Sequence, residues 1–396
     1  MHVMVLSRNF PNRAFPHLGP WVRRQTAALA KSCRMTVIAP VPYCPPGPLP
    51  ADFRKFRGIE RVRMEEGVEV HHTRFLTGSG NSTYALDALT KFWGMRSTFA
   101  ALHRAMPVDV IHAHFTFPEG AAAVLLGRRF GVPVVITEHN LWRPWMDELP
   151  QVRRQALRAL DGAAAVVAVS RAVRMNMEAV ARRMVPAQIV PIGVDGDAFP
   201  LKAPTADGAA NRILYVGWLN RIKGVDVLLR ALALLVTHRP QVRLTLIGGS
   251  AYRNANRREQ TMHELVATLG LAPYVEFRGP QPAAEVARAM QEADVLAVPS
   301  RRESCGSVIM EALSSGTAVV ATRSGGPEDI VTEEVGRVVQ VDDPAALAAA
   351  IEQVLEERSR FEPSRLRAYA LERFSWDRLA VEYLGIYRQA IAGTNA

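Results

Sequence analysis

The sequence is poor in lysine, in cysteine and in long apolar runs, and each shortage removes a class of protein. Only five lysines occur (Lys31, Lys55, Lys91, Lys202 and Lys223), so the net charge of +10 is carried almost wholly by arginine. Arginine grips phosphate and carboxylate through a planar fork of donors. The three cysteines, Cys33, Cys44 and Cys305, are scattered and odd in number. They argue against a disulfide framework or a thiolate metal site and fit a reducing compartment. No apolar run reaches the ~18–20 residues needed to cross a bilayer; GAAAVVAVS at 162–170 comes nearest. The opening MHVMVLSRNF lacks a small-residue cleavage site and reads as a first strand, not as an export signal. No strand-like run leads into Gly-x-Gly-x-x-Gly, and LIGGSAY at 246–252 is only a weak imitation, which disfavours a nicotinamide dehydrogenase. Internal repeats, low-complexity tracts and nucleic-acid-binding modules are also missing.

What is present is alternation. Strand-like and helix-like runs follow one another almost throughout, the signature of a parallel α/β sheet. Strands are expected at 2–7, 34–40, 68–75, 109–115, 132–140 and 164–170, with helices at 21–33 and 120–131. The pattern then restarts, with strands at 212–217, 242–249, 275–280, 294–300 and 317–322. Helices are expected at 225–240, where Pro240 is the stop, and at 284–293, 307–316 and 345–359. A chain of 396 residues is long for one core. Two doubly wound, Rossmann-like domains are therefore expected, at 1–195 and 210–374, joined by a Pro-, Gly- and Ala-rich linker near 196–211. The apolar stripe of 375–392 predicts a final helix, within 375–396, that packs back on the first domain.

Residues 300–326, SRRESCGSVIMEALSSGTAVVATRSGG, carry the chemistry. In open α/β sheets the loops after the strands line the ligand crevice. The loop after strand 294–300 holds Glu303 and leads through Gly306 to a helix for which Ser307 is the expected N-cap. The amides of Ser307, Val308 and Ile309 then form an anion site at the helix start. A carboxylate repels phosphate but accepts from vicinal hydroxyls. Glu303 and Glu311 on either side of a phosphate site therefore fit a ligand with a diphosphate between two hydroxylated rings, a nucleotide sugar. Arg221 and Lys223, in YVGWLNRIKGVD at 215–226, supply cations for the diphosphate. No Asp-x-Asp cluster with metal-holding context is found. Two surface acids near a helix start are the bland alternative for the glutamate pair.

These motifs, in this order and spacing, resemble the retaining glycosyltransferases of family 4, with the GT-B fold: two Rossmann-like domains facing each other across a cleft. FPHLGPWVRRQTAAL, DVIHAHF, VITEHN, VVAVS and PIGVD match its first half; LIGG, VEFRGP, ADVLAVPS and SGGPEDIV join the glutamate segment in its second. FPHLGPWVRRQ is similar to a bacterial subgroup linked to extracellular polysaccharide and teichuronic acid synthesis. The resemblance implies that Glu303 lies near the transferred sugar, that Glu311 holds the ribose, and that Lys223 with an arginine binds the diphosphate. Gly325-Gly326 would lie close by, and Gly19 would be the acceptor-side glycine. It also implies a histidine at the end of strand 109–115. Strand alternation sets His112 and His114 on one face with Val110, and His114 is nearer the crevice. His139 is a weaker candidate on the acceptor side, and His71-His72 has no such support. Two departures stand out: Trp218 where the family often has arginine, and Ile192 where it often has asparagine.

The expected activity is transfer of a sugar, with retention, from a nucleotide-diphosphate donor to a hydroxyl of a glycan or lipid-linked glycan. Glu303, His114 and Lys223 are the catalytic candidates. No cofactor or metal is expected, and no nucleic-acid partner. The basic clusters Arg8/Arg13, Arg23/Arg24, Arg54/Lys55/Arg57 and Arg61/Arg63 fit either a solvated surface or contact with anionic lipid at the inner face of a plasma membrane, with the protein cytoplasmic. A nucleotide-sugar epimerase or hydrolase of the same shape is the alternative; a non-catalytic glycan-binding module is another. Donor selectivity is expected around Arg278–Gln281 and the 323–329 loop.

Overall fold

The computed structural model describes all residues except 17, 49–50, 79–80, 143–144, 204–210, 250–254 and 395–396. The middle of the linker segment and the end of LIGGSAY therefore lie outside the described residues, as does the histidine of FPHLGP. The chain divides into two compact units, Met1–Pro191 with Trp376–Ala396, and Ile192–Ser375.

The first unit is built on an eight-stranded sheet. Its order is Ala187–Ile189, Ala165–Ala168, Val134–Glu138, Val110–His114, His2–Leu6, Arg34–Ile38, Val68–His71 and Val62–Glu65. All neighbours are parallel except the last pair. His2–Leu6 and Val110–His114 are buried along their whole length, as central parallel strands covered on both faces must be. The expected strand 68–75 is in fact two. Val68–His71 joins the main sheet, and Arg74–Phe75 pairs with Val41–Pro42 in a separate ribbon. Chain order runs outward from His2–Leu6 to one side and from Val110–His114 to the other. The switch point thus falls between these two strands, where Val3 pairs with Val110 and Leu6 with Ala113.

The second unit has a six-stranded parallel sheet, ordered Val275–Gly279, Arg243–Ile247, Arg212–Val216, Val295–Val298, Ala318–Thr322 and Gly336–Val339. Its switch point lies between Arg212–Val216 and Val295–Val298. The helix after the first strand runs from Val225 to Leu235 and ends well short of Pro240; the proline does not stop it. The last helix, Trp376–Thr394, belongs to the first unit, where it packs on Pro20–Ala30 and on the strands Val110–His114 and Val134–Glu138.

Candidate active site

Open α/β sheets bind ligands beyond the strand ends at the switch point. In the second unit that rule selects the segment after Val216 and the segment after Val298, and these hold the two residues of opposite charge. Lys223 closes a short 3₁₀ turn, Arg221–Lys223, capped by the Asn220 side chain, which accepts from the Lys223 amide at 3.0 Å. Gly224 follows with φ +67°, and a Cβ there would stand 1.9 Å from the Pro299 carbonyl oxygen. Only glycine lets the turn lie this close to the next crevice loop. The result is an ion pair: Lys223 Nζ lies 2.5 Å from Glu303 Oε2, with both side chains mostly buried. Ser300 Oγ is 3.5 Å from the same oxygen.

Glu303 is itself fixed by backbone. Its amide donates to the Ser324 carbonyl at 3.0 Å, and its carbonyl accepts from the Gly326 amide at 2.8 Å. A Cβ on Gly326 would stand 2.5 Å from the Cys305 Cα, so the double glycine lets two crevice loops touch. Burial, with Glu303 adding to it, pushes the Cys305 thiol up to about 12. Burial, again helped by Glu303, keeps the Tyr215 phenol protonated, and that hydroxyl donates to the Trp218 carbonyl at 2.8 Å.

Two expectations about the helix start are corrected. Gly306, not Ser307, is the N-cap, in the left-handed region, and no side chain caps the helix Ser307–Ser314. The Ile309 amide is already used, donating to the Gly306 carbonyl at 2.9 Å, so it is not available to an anion. Ser307 is exposed, and Val308 and Glu311 are half-buried. Arg221 is exposed, and its carbonyl accepts from Arg301 Nη1 at 2.6 Å.

Sequence reasoning missed Arg301. It forms a fork with Asp226 (2.8 Å for each arm), reaches Asp342 at 2.5 Å, and donates its amide to the Ile222 carbonyl at 2.7 Å. One guanidinium thus ties the Arg221–Lys223 turn to the loop of Glu303. The doubled arginine of PSRRES was a signal, but nothing in it names a partner 75 residues away.

In the first unit the switch point brings together His114 and His139. Their Nδ1 and Nε2 atoms share a hydrogen bond of 2.8 Å, and the rings stack at 5.1 Å. His112 lies beside them. Its Nε2 meets Thr137 Oγ1 and its Nδ1 meets the Tyr387 hydroxyl, each at 2.8 Å, while Tyr383 reaches Thr137 at 3.3 Å. Burial brings His112 and His139 to about 3, and holds His114 well below the ordinary imidazole range. All three are therefore neutral at pH 7, each with one donor and one acceptor nitrogen. His139 Nδ1 is buried and has no hydrogen-bond partner among the described residues. Gly19 is the left-handed N-cap of the helix Pro20–Ala30, and a Cβ there would stand 2.0 Å from the Asn9 carbonyl oxygen. Trp21 of that helix lies 6.1 Å from the His139 ring. Glu138, also missed, is buried and accepts from the amides of Thr116, His139 and Asn140 at 2.9 Å and from Trp142 Nε1 at 3.0 Å. It borders a cavity of about 880 Å³ walled by Phe75, Tyr84, Phe115, Phe117 and Trp142, with Arg8 on its lining.

Comparison with known proteins shows the family and the fold of the chain. Residues 201–373 match the family "Glycosyl transferases group 1", and residues 18–193 match the "Glycosyl transferase 4-like domain". A D-inositol 3-phosphate glycosyltransferase of Acidothermus cellulolyticus is 33% identical over 316 residues, covering 72% of this chain and 68% of that protein. Its counterpart in Corynebacterium urealyticum is 31% identical, covering 83% of this chain and 82% of that one. Among solved structures, sucrose-phosphate synthase from Thermosynechococcus elongatus has a TM-score of 0.77 at 22% identity, covering 99% of this chain and all of the other. Anabaena HepE in complex with UDP has a TM-score of 0.74 at 19% identity, covering 97% and 99%. At such identities the likeness shows the fold alone, and the fold is GT-B. The chain belongs to the group 1 glycosyl transferases, with a glycosyl transferase 4-like domain in its first unit.

Proposed function

We propose that the protein moves a sugar from a nucleoside-diphosphate donor to a hydroxyl acceptor with retention at the anomeric carbon. The observation that carries this reading is the Lys223–Glu303 pair at the switch point of the second unit, 2.5 Å apart beside the helix start at Ser307. The donor lies in the second unit, with its diphosphate against Lys223, Arg221 and the amides of Ser307 and Val308. Glu311 takes the ribose hydroxyls and Glu303 the sugar. Fixed cations and amide dipoles meet the charge that develops on the leaving diphosphate, so no divalent ion is required. The acceptor oxygen forms its bond to the anomeric carbon on the face from which the diphosphate departs. The bond to the β-phosphate oxygen breaks, and the acceptor proton passes to that oxygen. The first unit takes the acceptor, with Gly19, His114 and His139 lining its place.

UDP-sugars are the first donors to try, because Anabaena HepE has been solved with UDP-glucose. The acceptor we favour is a lipid-linked glycan, and the role is in cell-surface polysaccharide synthesis in the cytoplasm. A second reading of the acceptor, a phosphorylated polyol, is supported by the curated relatives named D-inositol 3-phosphate glycosyltransferase. A thermal-shift panel of UDP, GDP, ADP and their sugars tests the donor, since a ligand of the native state raises Tm. NMR of the product, with and without acceptor and with chelator, tests the rest. Donor turnover that needs no acceptor would mean epimerase or hydrolase. Loss of transfer with chelator, restored by a divalent ion, would overturn the metal-free mechanism.

A further inference from the structure

The arginines of the first unit do not share one fate. Those that form sequence clusters near the N-terminus are partly neutralised: Arg23 lies 3.3 Å from Glu65 and 3.7 Å from Glu66, and Arg63 pairs with Glu60 and Glu65. In the second unit Arg239, Arg301 and Arg337 are each held by carboxylates. A different group stands without a carboxylate among the described residues. Arg96 and Arg104 lie on the helix Asp87–Ala105, Arg128 and Arg129 on Ala121–Phe130, and Arg154 and Arg158 on Pro150–Gly162; all six are exposed. These three helices contact one another in series, the first with the second and the second with the third. They contain only two acids. Asp87 is buried, and Asp161 is already paired with Arg183.

The same layer exposes apolar surface. Leu86, Leu89 and Trp93 are 54%, 45% and 53% exposed, at the three- and four-residue steps that share one helix face. Arg96 continues that face, its guanidinium 4.4 Å from the Trp93 ring. A solvated basic surface does not need an outward Trp and two Leu. A protein partner matched to six unpaired arginines would need six carboxylates in register. A bilayer with anionic headgroups supplies both halves without register: phosphates for the arginines, and an interfacial zone in which Trp settles.

We propose that the outer face of Asp87–Ala105, with the arginines of Ala121–Phe130 and Pro150–Gly162, docks on an anionic lipid surface, with Trp93 at the headgroup boundary. The inference is independent of which sugar or acceptor the enzyme uses.

The test is co-sedimentation of the full chain with vesicles of phosphatidylcholine alone, or with about one-third phosphatidylglycerol. Binding is expected only to the anionic vesicles and is expected to fall with salt. Trp93→Ala and the pair Arg154→Glu with Arg158→Glu should each lower partitioning about tenfold or more. Their melting curves and nucleotide-induced shifts should stay those of the parent, because none of these residues belongs to the proposed donor or acceptor sites. Brominated lipid should quench indole fluorescence, and Trp93→Phe should remove that quenching. Equal binding to neutral vesicles, or binding indifferent to both substitutions, would overturn the proposal. So would finding that the substitutions instead abolish self-association or duplex DNA binding while vesicle binding persists.

Discussion

Arg301 and Asp226 face each other through two hydrogen bonds of 2.8 Å, joining a crevice loop to the first turn of a helix, at a residue 75 positions earlier. The Asp226 bonds hold the guanidinium protonated far above its ordinary range. Desolvation pulls the Asp226 carboxyl upward, but Arg301 outweighs it and the net shift is downward. Because the same guanidinium carries the Arg221 carbonyl, the fork sets where Lys223 stands. Arg301→Ala and Asp226→Ala should each lower kcat/KM for the donor by about ten- to a hundredfold, the scale of a small misplacement at a reacting centre. Arg301→Lys should restore little, since an ammonium cannot form the fork. Combining the two alanines should cost little more than either alone. Additive losses would show that the residues act separately.

Glu303→Ala should reduce kcat by about a hundred- to a thousandfold, the usual cost of removing one preorganised polar group. The backbone bonds of residue 303 to Ser324 and Gly326 do not involve the side chain, so the variant should keep the parental fold, with Tm lowered only by the loss of the Lys223 ion pair. Transfer at the parental rate would remove Glu303 from the mechanism.

Gly224→Ala should destabilise the second unit by about 2–4 kcal/mol, because a Cβ meets the Pro299 carbonyl at 1.9 Å and the φ of +67° is strained as well. Urea unfolding measures this. Gly270, with φ also +67° but nothing near its missing Cβ, is the control and should lose much less.

The buried histidines make the first unit sensitive to acid. His112 and His139 titrate near 6.5 when unfolded and near 3 when folded, because burial opposes their charge. Between those values the unfolded chain binds protons that the native unit refuses. Stability is therefore full above about pH 6.5 and falls as pH drops toward 3, by up to about 1.4 kcal/mol per pH unit for each histidine. His72, brought to about 4, adds in the same direction. Asp87 opposes the trend at carboxylate pH, since burial raises its pKa in the native state. Protonation also breaks the His114–His139 bond, because two imidazolium rings have no acceptor between them. Urea midpoints at pH 7 and pH 5 should show the loss, and His139→Gln should flatten the slope.

Tyr387→Phe should cost about 1–3 kcal/mol, the penalty for leaving the buried His112 Nδ1 without its partner. Val381→Ala, on the exposed side of the same helix, should cost far less.

Parallel strands buried on both faces read as short apolar runs, and so most of the strands were visible in the sequence. In the two main sheets Val62–Glu65, Ala187–Ile189 and Gly336–Val339 were not; none is buried along its length, and the first is an antiparallel edge. Helices Asp87–Ala105, Pro150–Gly162 and Arg171–Ala181 were missed as well, their arginines and small residues blurring the apolar stripe. At the candidate site, Lys223 and Glu303 were legible because each follows a strand and stands within three residues of a glycine, Gly224 or Gly306. Gly306 as N-cap was not, since Ser307 has the better capping side chain. Arg301 with Asp226, and Tyr387 with His112, depend on which loops and helices meet in space, and no spacing along the chain encodes that.

The final helix gives the first unit an unusual birth order. Its opening 191 residues leave the ribosome early, yet Tyr383 and Tyr387, which close over His112 and Thr137, arrive only after the whole second unit has been made. Until then the central strands wait with one flank uncovered, so a nascent chain halted before Trp376 should be the form that chaperones hold and proteases cut.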